Sequence, residues 1–197
     1  MANQQDKARA AKGKEFWNAL AAEELKKPRY QRTTADFSGD ALPEIDFSGF
    51  IFPGRANFAG ATFSGDAHFE GAKFKGDAYF NSAKFESPAY FKGATFNGEA
   101  HFEGAKFSSD TNFKGAKFEG WAYFNNATFE NWARFNNATF EDTTTFTGAT
   151  FKIAPTFHNA DIHQDTEFSF DDKFFEQFPD VKNDHSERAY RTLKLAM

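Results

Sequence analysis

The sequence contains no cysteine, only two methionines, and little leucine, isoleucine or valine. The lack of cysteine excludes disulfides, thiol catalysis and thiolate metal sites, and it is compatible with the cytoplasm, where we expect the protein to be located. No run of about 18 apolar residues is present, and residues 1–16 contain no apolar segment of the kind found in signal peptides. We therefore expect neither membrane insertion nor export.

Excess positive charge is also absent, since the formal net charge is −5. A protein whose main task is to neutralise phosphates would be basic, so nucleic acid is not an expected partner. What the sequence does contain is 29 phenylalanines and 14 glycines. With so few aliphatic residues, the core must be built from phenylalanine.

Phenylalanine recurs with a strict period along most of the chain. From Phe47 the first step is five residues, and the steps then alternate six and five as far as Phe168, with Ile162 in the single gap. The unit is therefore eleven residues, close to A-x-F-x-G-A-x-F-x-G-D, as in ANFAGATFSGD (56–66) and AHFEGAKFKGD (67–77). A fixed short period of this kind is typical of repeat architectures.

Right-handed helical coiled coils also have an eleven-residue period, but they need apolar residues three and four apart. Steps of five and six suit extended segments, in which alanine and phenylalanine two residues apart face one side. Each half-unit is predicted to be a three-residue strand, followed by a corner at a residue that tolerates a left-handed backbone. The predicted corners are Gly60, Gly71, Gly93, Gly104, Gly115, Asn126, Asn137, Gly148 and Asn159, with departures at Ser82, Ser87, Ser109 and Ile153.

Such strands wind into a solenoid with phenylalanine and alanine inside, and coils about 4.8 Å apart let like rings stack. The segments Ala35-Asp36-Phe37-Ser38-Gly39 and Ala56-Asn57-Phe58-Ala59-Gly60 resemble the unit A-(D/N)-(L/F)-x-x of the pentapeptide-repeat family. The resemblance implies that family's all-β fold, a right-handed quadrilateral parallel β-helix with four five-residue faces per coil. Here every second face has one extra residue, which makes a phenylalanine-centred variant with an eleven-residue double repeat.

Four faces per coil would take 22 residues, so residues 45–176 would form six coils; a two-faced coil of eleven residues is the competing geometry. With 22 residues per coil, the outward side chains fall into four columns. Two columns contain aromatic and imidazole groups, and two are rich in lysine and threonine. The columns are Asn57, Tyr79, His101, Tyr123 and Thr145; His68, Tyr90, Asn112, Arg134 and Thr156; Thr62, Lys84, Lys106, Thr128 and Thr150; and Lys73, Thr95, Lys117, Thr139 and Asp161.

Exposed aromatic and arginine side chains are favoured at protein interfaces. The alternative is that neighbouring rings pack across the coils and only cover the sheet surface. The sequence does not identify the partner. The candidate interaction surface consists of Tyr79, Tyr90, His101, Trp121, Tyr123, Trp132 and Arg134.

Both ends of the chain are predicted to be helical. Residues 4–27 are rich in helix formers, with an apolar stripe of Phe16, Trp17, Leu20 and Leu25, and Pro28 ends them. We divide the chain into an N-terminal helical cap (1–33), the solenoid (34–176) and a C-terminal linker and helix (177–197). Self-association through the terminal segments is the alternative to capping. The helix from Ser186 is similar to the start of a helical extension in longer pentapeptide-repeat proteins, which implies a shortened version of such a protein.

No catalytic motif or cofactor fingerprint is present, and carboxylates occur singly at the repeat corners, so we predict a protein that is not an enzyme and needs no cofactor. His158 and His163 lie near Asp161 and Asp165, but they straddle a corner and are predicted to be exposed without a metal. His68 and His101 are predicted to be solvated, because they point outward at mid-strand.

Three functions are consistent with these features. The first is a non-catalytic scaffold that presents solenoid faces to a protein partner. The second, implied by the resemblance alone, is a DNA mimic that modulates a type II topoisomerase. Residues 45–170 contain 15 acidic and 10 basic side chains, however, and lysines interrupt the acidic surface that a mimic requires. The third is a rigid spacer for a helical extension.

Overall fold

The computed structural model describes residues 4–43, 45–162 and 168–169. Its body is a parallel β-solenoid of about six coils, in which each strand pairs with the strand one coil further on. Ala56 pairs with Ala78, Ala78 with Ala100, and Ala100 with Ala122. One coil therefore takes 22 residues, so the predicted four-faced coil is confirmed and the eleven-residue coil is wrong.

The strands form four faces, numbered in chain order, and each face is one parallel sheet. Face 1 contains Ala35–Asp36, Ala56–Asn57, Ala78–Tyr79, Ala100–His101, Ala122–Tyr123, Thr144–Thr145 and Phe168–Ser169. Face 2 contains Thr62–Phe63, Lys84–Phe85, Lys106–Phe107, Thr128–Phe129 and Thr150–Phe151. Face 3 contains Ala67–His68, Ala89–Tyr90, Thr111–Asn112 and Ala133–Arg134. Face 4 contains Ile51–Phe52, Lys73–Phe74, Thr95–Phe96, Lys117–Phe118, Thr139–Phe140 and Asp161–Ile162.

The strands contain two residues each, not the three predicted. On faces 1 and 3 a strand consists of the inward alanine or threonine and the outward residue that follows it, as in Ala56–Asn57. On faces 2 and 4 it consists of the outward residue and the inward phenylalanine, as in Thr62–Phe63. The chain turns again after each pair, so the ladder between coils is interrupted at every corner.

Stacked phenylalanine rings fill the centre of the solenoid. Phe58, Phe80, Phe102 and Phe124 are fully buried, and successive rings of this series lie 4.9–5.0 Å apart and within 3° of parallel. Across the core, Phe102 contacts the face 3 ring of Phe113 edge-on, at 5.5 Å and 87°. Both arrangements are favourable for aromatic quadrupoles, which explains why one residue type is repeated along the whole core.

Corners of two kinds alternate along the chain. After each phenylalanine of faces 1 and 3, the second residue has a left-handed backbone, and this confirms the predicted glycine and asparagine corners. Ser82 occupies one such corner with φ of 56°, a conformation that costs a serine more than a glycine. Ser87, Ser109 and Ile153 occupy the other kind, where φ is not positive.

Glycine at the second kind of corner has a different role. A Cβ placed on Gly76 would lie 2.5 Å from the carbonyl oxygen of Gly54 in the preceding coil. Such a distance is impossible without moving the backbone. Glycine is therefore needed here because the coils approach each other closely, not because of its torsion angles.

Two helices precede the solenoid in place of the single segment predicted. They span Gln4–Ala10 (α1) and Lys14–Leu25 (α2), and a 3-10 turn follows at Arg29–Gln31. Gly13, with a left-handed φ of 88°, separates α1 from α2. Trp17 of α2 is buried, and its ring lies within 6.0 Å of three core rings, those of Phe37, Phe50 and Phe52.

Side chains of these helices make hydrogen bonds that a preceding coil would otherwise make. Trp17 Nε1 donates to the Ile51 carbonyl at 2.9 Å, and Asn18 Oδ1 accepts from the Ile51 amide at 2.8 Å. The carboxylate of Asp6, which is buried, accepts from the Asp36 amide at 3.0 Å. Unpaired strand edges invite pairing with other chains, and the helices satisfy these groups on the first coil.

The predicted apolar stripe of α2 is only partly correct. Trp17 and Ala21 are buried, whereas Phe16 and Leu20 remain 38% and 39% exposed. Residues four apart lie on the same side of a helix, so α2 has a buried side and an adjacent exposed apolar side. Leu25, at the end of the helix, is half-buried.

The C-terminal predictions fall outside the described residues. They concern the core position of residue 168 beyond its backbone, the linker and helix of residues 177–197, and the side chains of His163, Asp165 and His185. The three predicted domain boundaries stay predictions. Of the described helices, none is long and apolar enough to cross a membrane.

Candidate protein-interaction surface

A ladder of three rings runs along the outside of face 1. His101 lies between Tyr79, at 4.6 Å and 4° from parallel, and Tyr123, at 4.9 Å and 19°. The His101 side chain is only 14% exposed. The prediction of a solvated His101 is therefore wrong, because the 22-residue register places a tyrosine ring on each side of the imidazole.

Two glutamates hold the edges of the same imidazole. His101 Nδ1 lies 3.1 Å from Glu103 Oε1, and Nε2 lies 3.0 Å from Glu99 Oε2. Burial lowers the pKa of His101, but the hydrogen bonds and negative charge of Glu103 and Glu99 outweigh it, so the pKa is raised above its ordinary value. Burial, reinforced by nearby carboxylates, also raises the pKa of Tyr79 and Tyr123, and their hydroxyls stay protonated at neutral pH.

Arginine side chains contact the N-terminal end of face 1. The Arg55 guanidinium lies over the Tyr79 ring, 5.0 Å from its centre. Arg29, which follows the helical cap, pairs with Asp77 at 3.2 Å. Face 1 therefore binds guanidinium groups both by ring stacking and by carboxylate pairing.

Trp121 lies at the corner that leads into the Tyr123 strand, and it is 44% exposed. Its ring is 5.8 Å from that of Tyr123. The Ala100 amide donates to the Trp121 carbonyl at 2.8 Å, so Glu99 occupies the equivalent corner of the preceding coil. An exposed indole, a phenol ring and a carboxylate thus lie on adjacent coils at one corner of face 1.

On face 3 the corresponding ladder is shorter. His68 stacks on Tyr90 at 5.1 Å, and the next residue in the column is Asn112, so the stack contains two rings. The His68 side chain is 38% exposed, which partly fits the predicted solvation. Further along the same face, Arg134 pairs with Asp110 at 3.0 Å and lies over the Trp132 ring at 5.7 Å.

The seven candidate residues therefore do not form one surface. Tyr79, His101, Trp121 and Tyr123 lie on or beside face 1. Tyr90, Trp132 and Arg134 lie on or beside face 3, which is half a coil away on the other side of the core. Their role in binding stays a prediction, and the structure divides it into two separate questions.

Faces 2 and 4 were predicted to be basic in the middle, but glutamates pair with several of their lysines. Glu130 lies 2.8 Å from Lys106 and 3.1 Å from Lys152, across the coils of face 2. On face 4, Lys117 pairs with Glu119 at 2.9 Å and with a glutamate of the next coil, Glu141, at 3.0 Å. These bonds lower the pKa of Glu130 and raise that of Lys117.

Chemistry of other kinds finds little support on the described surface. Among residues 4–43 and 45–162, no group of three or more histidines and carboxylates is arranged to hold a metal ion. His158 is exposed at its corner, as predicted.

Four residues of face 1 were missed by sequence reasoning, namely Arg29, Arg55, Glu99 and Glu103. The 22-residue register could have revealed two of them, because Arg55, Asp77, Glu99 and Trp121 follow one another at that spacing in the sequence. Arg29 could not have been found in this way, since it lies ahead of the repeat.

Comparison with known proteins gives a result for the family and none for individual relatives. The family model described as pentapeptide repeats (9 copies) matches residues 47–95, 58–105, 69–117, 91–139 and 124–170, which together span more than half of the chain. No curated protein and no solved structure matches the sequence.

Proposed function

The chain belongs to the pentapeptide-repeat family, and from that premise we propose that it is a non-catalytic scaffold whose face 1 docks a protein partner. A solenoid of this kind offers extended, regularly spaced side chains on a continuous core. Specificity then depends on which side chains the outward columns carry.

The observation that supports face 1 is the exposure of Trp121 beside the Tyr79–His101–Tyr123 ladder. Large aromatic side chains that remain exposed are typical of interface centres. The alternative, that the rings only cover the sheet, accounts for the mostly buried His101. It does not account for an indole that projects from a corner and is 44% exposed.

The test replaces both tyrosines of the ladder. Proteins captured from native lysate by the wild type are compared with those captured by a Tyr79→Ser, Tyr123→Ser variant, after circular dichroism has shown that the variant folds. A matched control, Lys84→Ser with Lys106→Ser, alters face 2 in the same coils. We expect a discrete partner to be lost with the tyrosine variant alone. Retention of every partner by that variant would remove face 1 from consideration.

The alternative of a DNA mimic acting on a type II topoisomerase receives no support from the described surface. A mimic needs a continuous acidic face, whereas the glutamates of faces 2 and 4 are paired with lysines. We expect a gyrase supercoiling assay to be unaffected by the protein. Inhibition or protection of the enzyme would replace the scaffold proposal.

Self-association through the terminal segments also stays a prediction. In α2, the side chains available for it are Phe16 and Leu20, which remain exposed. If α2 mediates a dimer, Phe16→Glu should shift sedimentation toward the monomer, while Tyr30→Glu, which changes an exposed ring outside the helix, should not. Equal sedimentation of both variants and the wild type would argue that α2 serves as a cap alone.

A further inference from the structure

We propose that the corner of face 1 formed by Glu99, Trp121 and Tyr123 binds the guanidinium group of an arginine side chain from a protein partner. This proposal rests on the proposed docking function of face 1. It adds the chemical group that the surface recognises.

The repeat itself contains a filled version of this site. On face 3, Asp110, Trp132 and Arg134 lie together, with the Arg134 guanidinium 3.0 Å from the carboxylate and 5.7 Å from the indole centre. A carboxylate and an indole on adjacent coils thus hold one guanidinium group.

Subtracting one eleven-residue unit from these three positions gives Glu99, Trp121 and Tyr123. The carboxylate and the indole are therefore repeated on face 1, and only the arginine is replaced, by tyrosine. The replacement adds a second ring, 5.8 Å from the indole. Face 1 keeps the two groups that bind guanidinium on face 3 but does not supply the cation at that position.

The arginines of the described chain are already engaged elsewhere. Arg9 pairs with Asp6, Arg29 with Asp77, and Arg134 with Asp110. Arg55 lies over Tyr79, and Arg32 donates to backbone carbonyls, including that of Lys27 at 3.1 Å. Arg188 and Arg191 lie outside the described residues, and the experiment below distinguishes them from a partner.

Charge and shape favour arginine over other groups. The outward carboxylates of Asp77, Glu99 and Glu103 exceed the single positive charge of Arg55 on this stretch of face 1, and the Glu99 side chain is 49% exposed. A planar, weakly hydrated guanidinium can stack on an indole while it donates to a carboxylate. A lysine ammonium is more strongly hydrated and cannot pair in that bidentate way.

The experiment uses the full chain labelled with nitrogen-15 and two probes, N-acetyl-arginine amide and N-acetyl-lysine amide. The indole N–H signal of Trp121 is assigned with Trp121→Phe. We expect the arginine probe to shift this signal and the lysine probe to bind more weakly. Glu99→Gln should weaken arginine binding about tenfold, since it removes a charge-assisted hydrogen bond.

Two matched variants identify the groups responsible. Trp132→Ala alters the equivalent indole half a coil away and should leave the Trp121 response unchanged. His101→Gln retains Glu99 but removes its histidine neighbour, and arginine binding should persist. Equal responses to both probes, or a response that Glu99→Gln leaves intact, would overturn the arginine assignment.

The outcome is also separable from the docking proposal. If Tyr79→Ser with Tyr123→Ser loses a protein partner but Glu99→Gln retains it, face 1 docks a partner without the arginine, and this inference alone fails. If replacing Arg188 and Arg191 by Gln is required before the probe binds, the occupant is this chain's own C-terminal segment, and the assignment to a partner is wrong.

Discussion

Two ladders of rings run side by side along face 1, one inside the solenoid and one outside. Phe80, Phe102 and Phe124 form the inner ladder, with rings 4.9 and 5.0 Å apart. Their immediate neighbours in the chain, Tyr79, His101 and Tyr123, form the outer ladder, with rings 4.6 and 4.9 Å apart. The same register sets both spacings, so the difference between the ladders comes from their surroundings.

Those surroundings differ in two ways. Each inner ring is fully buried and also contacts rings of face 3 edge-on, as Phe102 contacts Phe91 and Phe113 at 5.5 Å. The outer rings contact each other, charged side chains and solvent. The inner ladder is therefore expected to stabilise the fold, and the outer ladder to carry its chemistry.

The largest effect is expected for Phe102→Ala. Removing a ring that is 0% exposed and packed on four sides leaves a cavity in the middle of the core, which typically costs about 3–5 kcal/mol in the free energy of unfolding. Denaturant unfolding followed by circular dichroism measures this change. A loss below about 1 kcal/mol would mean that the inner ladder contributes no more than an ordinary surface contact.

A smaller effect is expected for Phe102→Leu, which keeps much of the volume but removes the flat ring. Substitutions that preserve volume cost less than about 1.5 kcal/mol in most cores. We expect a value near that limit, because the parallel stack on Phe80 and Phe124 and the edge contacts are lost together. A loss as large as that of Phe102→Ala would show that ring geometry, and not burial, dominates the core.

For the outer ladder, Tyr123→Ala should cost about 0.5–1 kcal/mol, the usual value of a cross-strand aromatic pair on an exposed sheet. The same unfolding measurement applies, and Thr145→Ala in the same column serves as the control without a ring. A cost comparable with that of Phe102→Ala would abolish the distinction between the two ladders.

The smallest effect is a pH dependence that only the outer ladder should show. The raised pKa of His101 means that its protonated form, held between Tyr79 and Tyr123 and paired with Glu99 and Glu103, stabilises the folded state. This contribution is fully present below about pH 6.5, the ordinary histidine pKa, and is lost as the pH rises through the higher pKa of the folded protein.

The measurement is the free energy of unfolding at several pH values, for the wild type and for His101→Gln. The variant should lose the part of the pH dependence described above. His158→Gln, which alters an exposed histidine at a corner, is the control. Identical pH dependence in His101→Gln and the wild type would show that His101 is not coupled to folding.

The sequence predicts the inner ladder almost completely. Spacing alone places Phe58, Phe80 and Phe102 in one buried stack, and it also predicts that His101 follows Tyr79 in an outward column. Both follow from a single period, because a regular solenoid converts distance along the chain directly into position.

What the period could not reveal depends on interactions that it does not encode. The covering of His101 depends on which side chains flank it, and the sequence pattern was wrongly read there as solvent exposure. Asn18 and Asp6 contact backbone groups of the first coil, and nothing in an isolated helical sequence identifies those partners. The pairing of Lys106 with Glu130 depends on rotamers of long side chains at different positions of their repeats.

The 22-residue register also makes the length of the protein adjustable in fixed increments. Excising or duplicating one block, such as residues 89–110, would return every later side chain to the face it had before and move it by about 4.8 Å along the axis. Removing eleven residues would instead place Tyr123 above face 3 and separate it from Tyr79. Such a molecule works as a ruler with marks at whole coils, and insertions or deletions that respect those marks preserve the pattern while changing the reach.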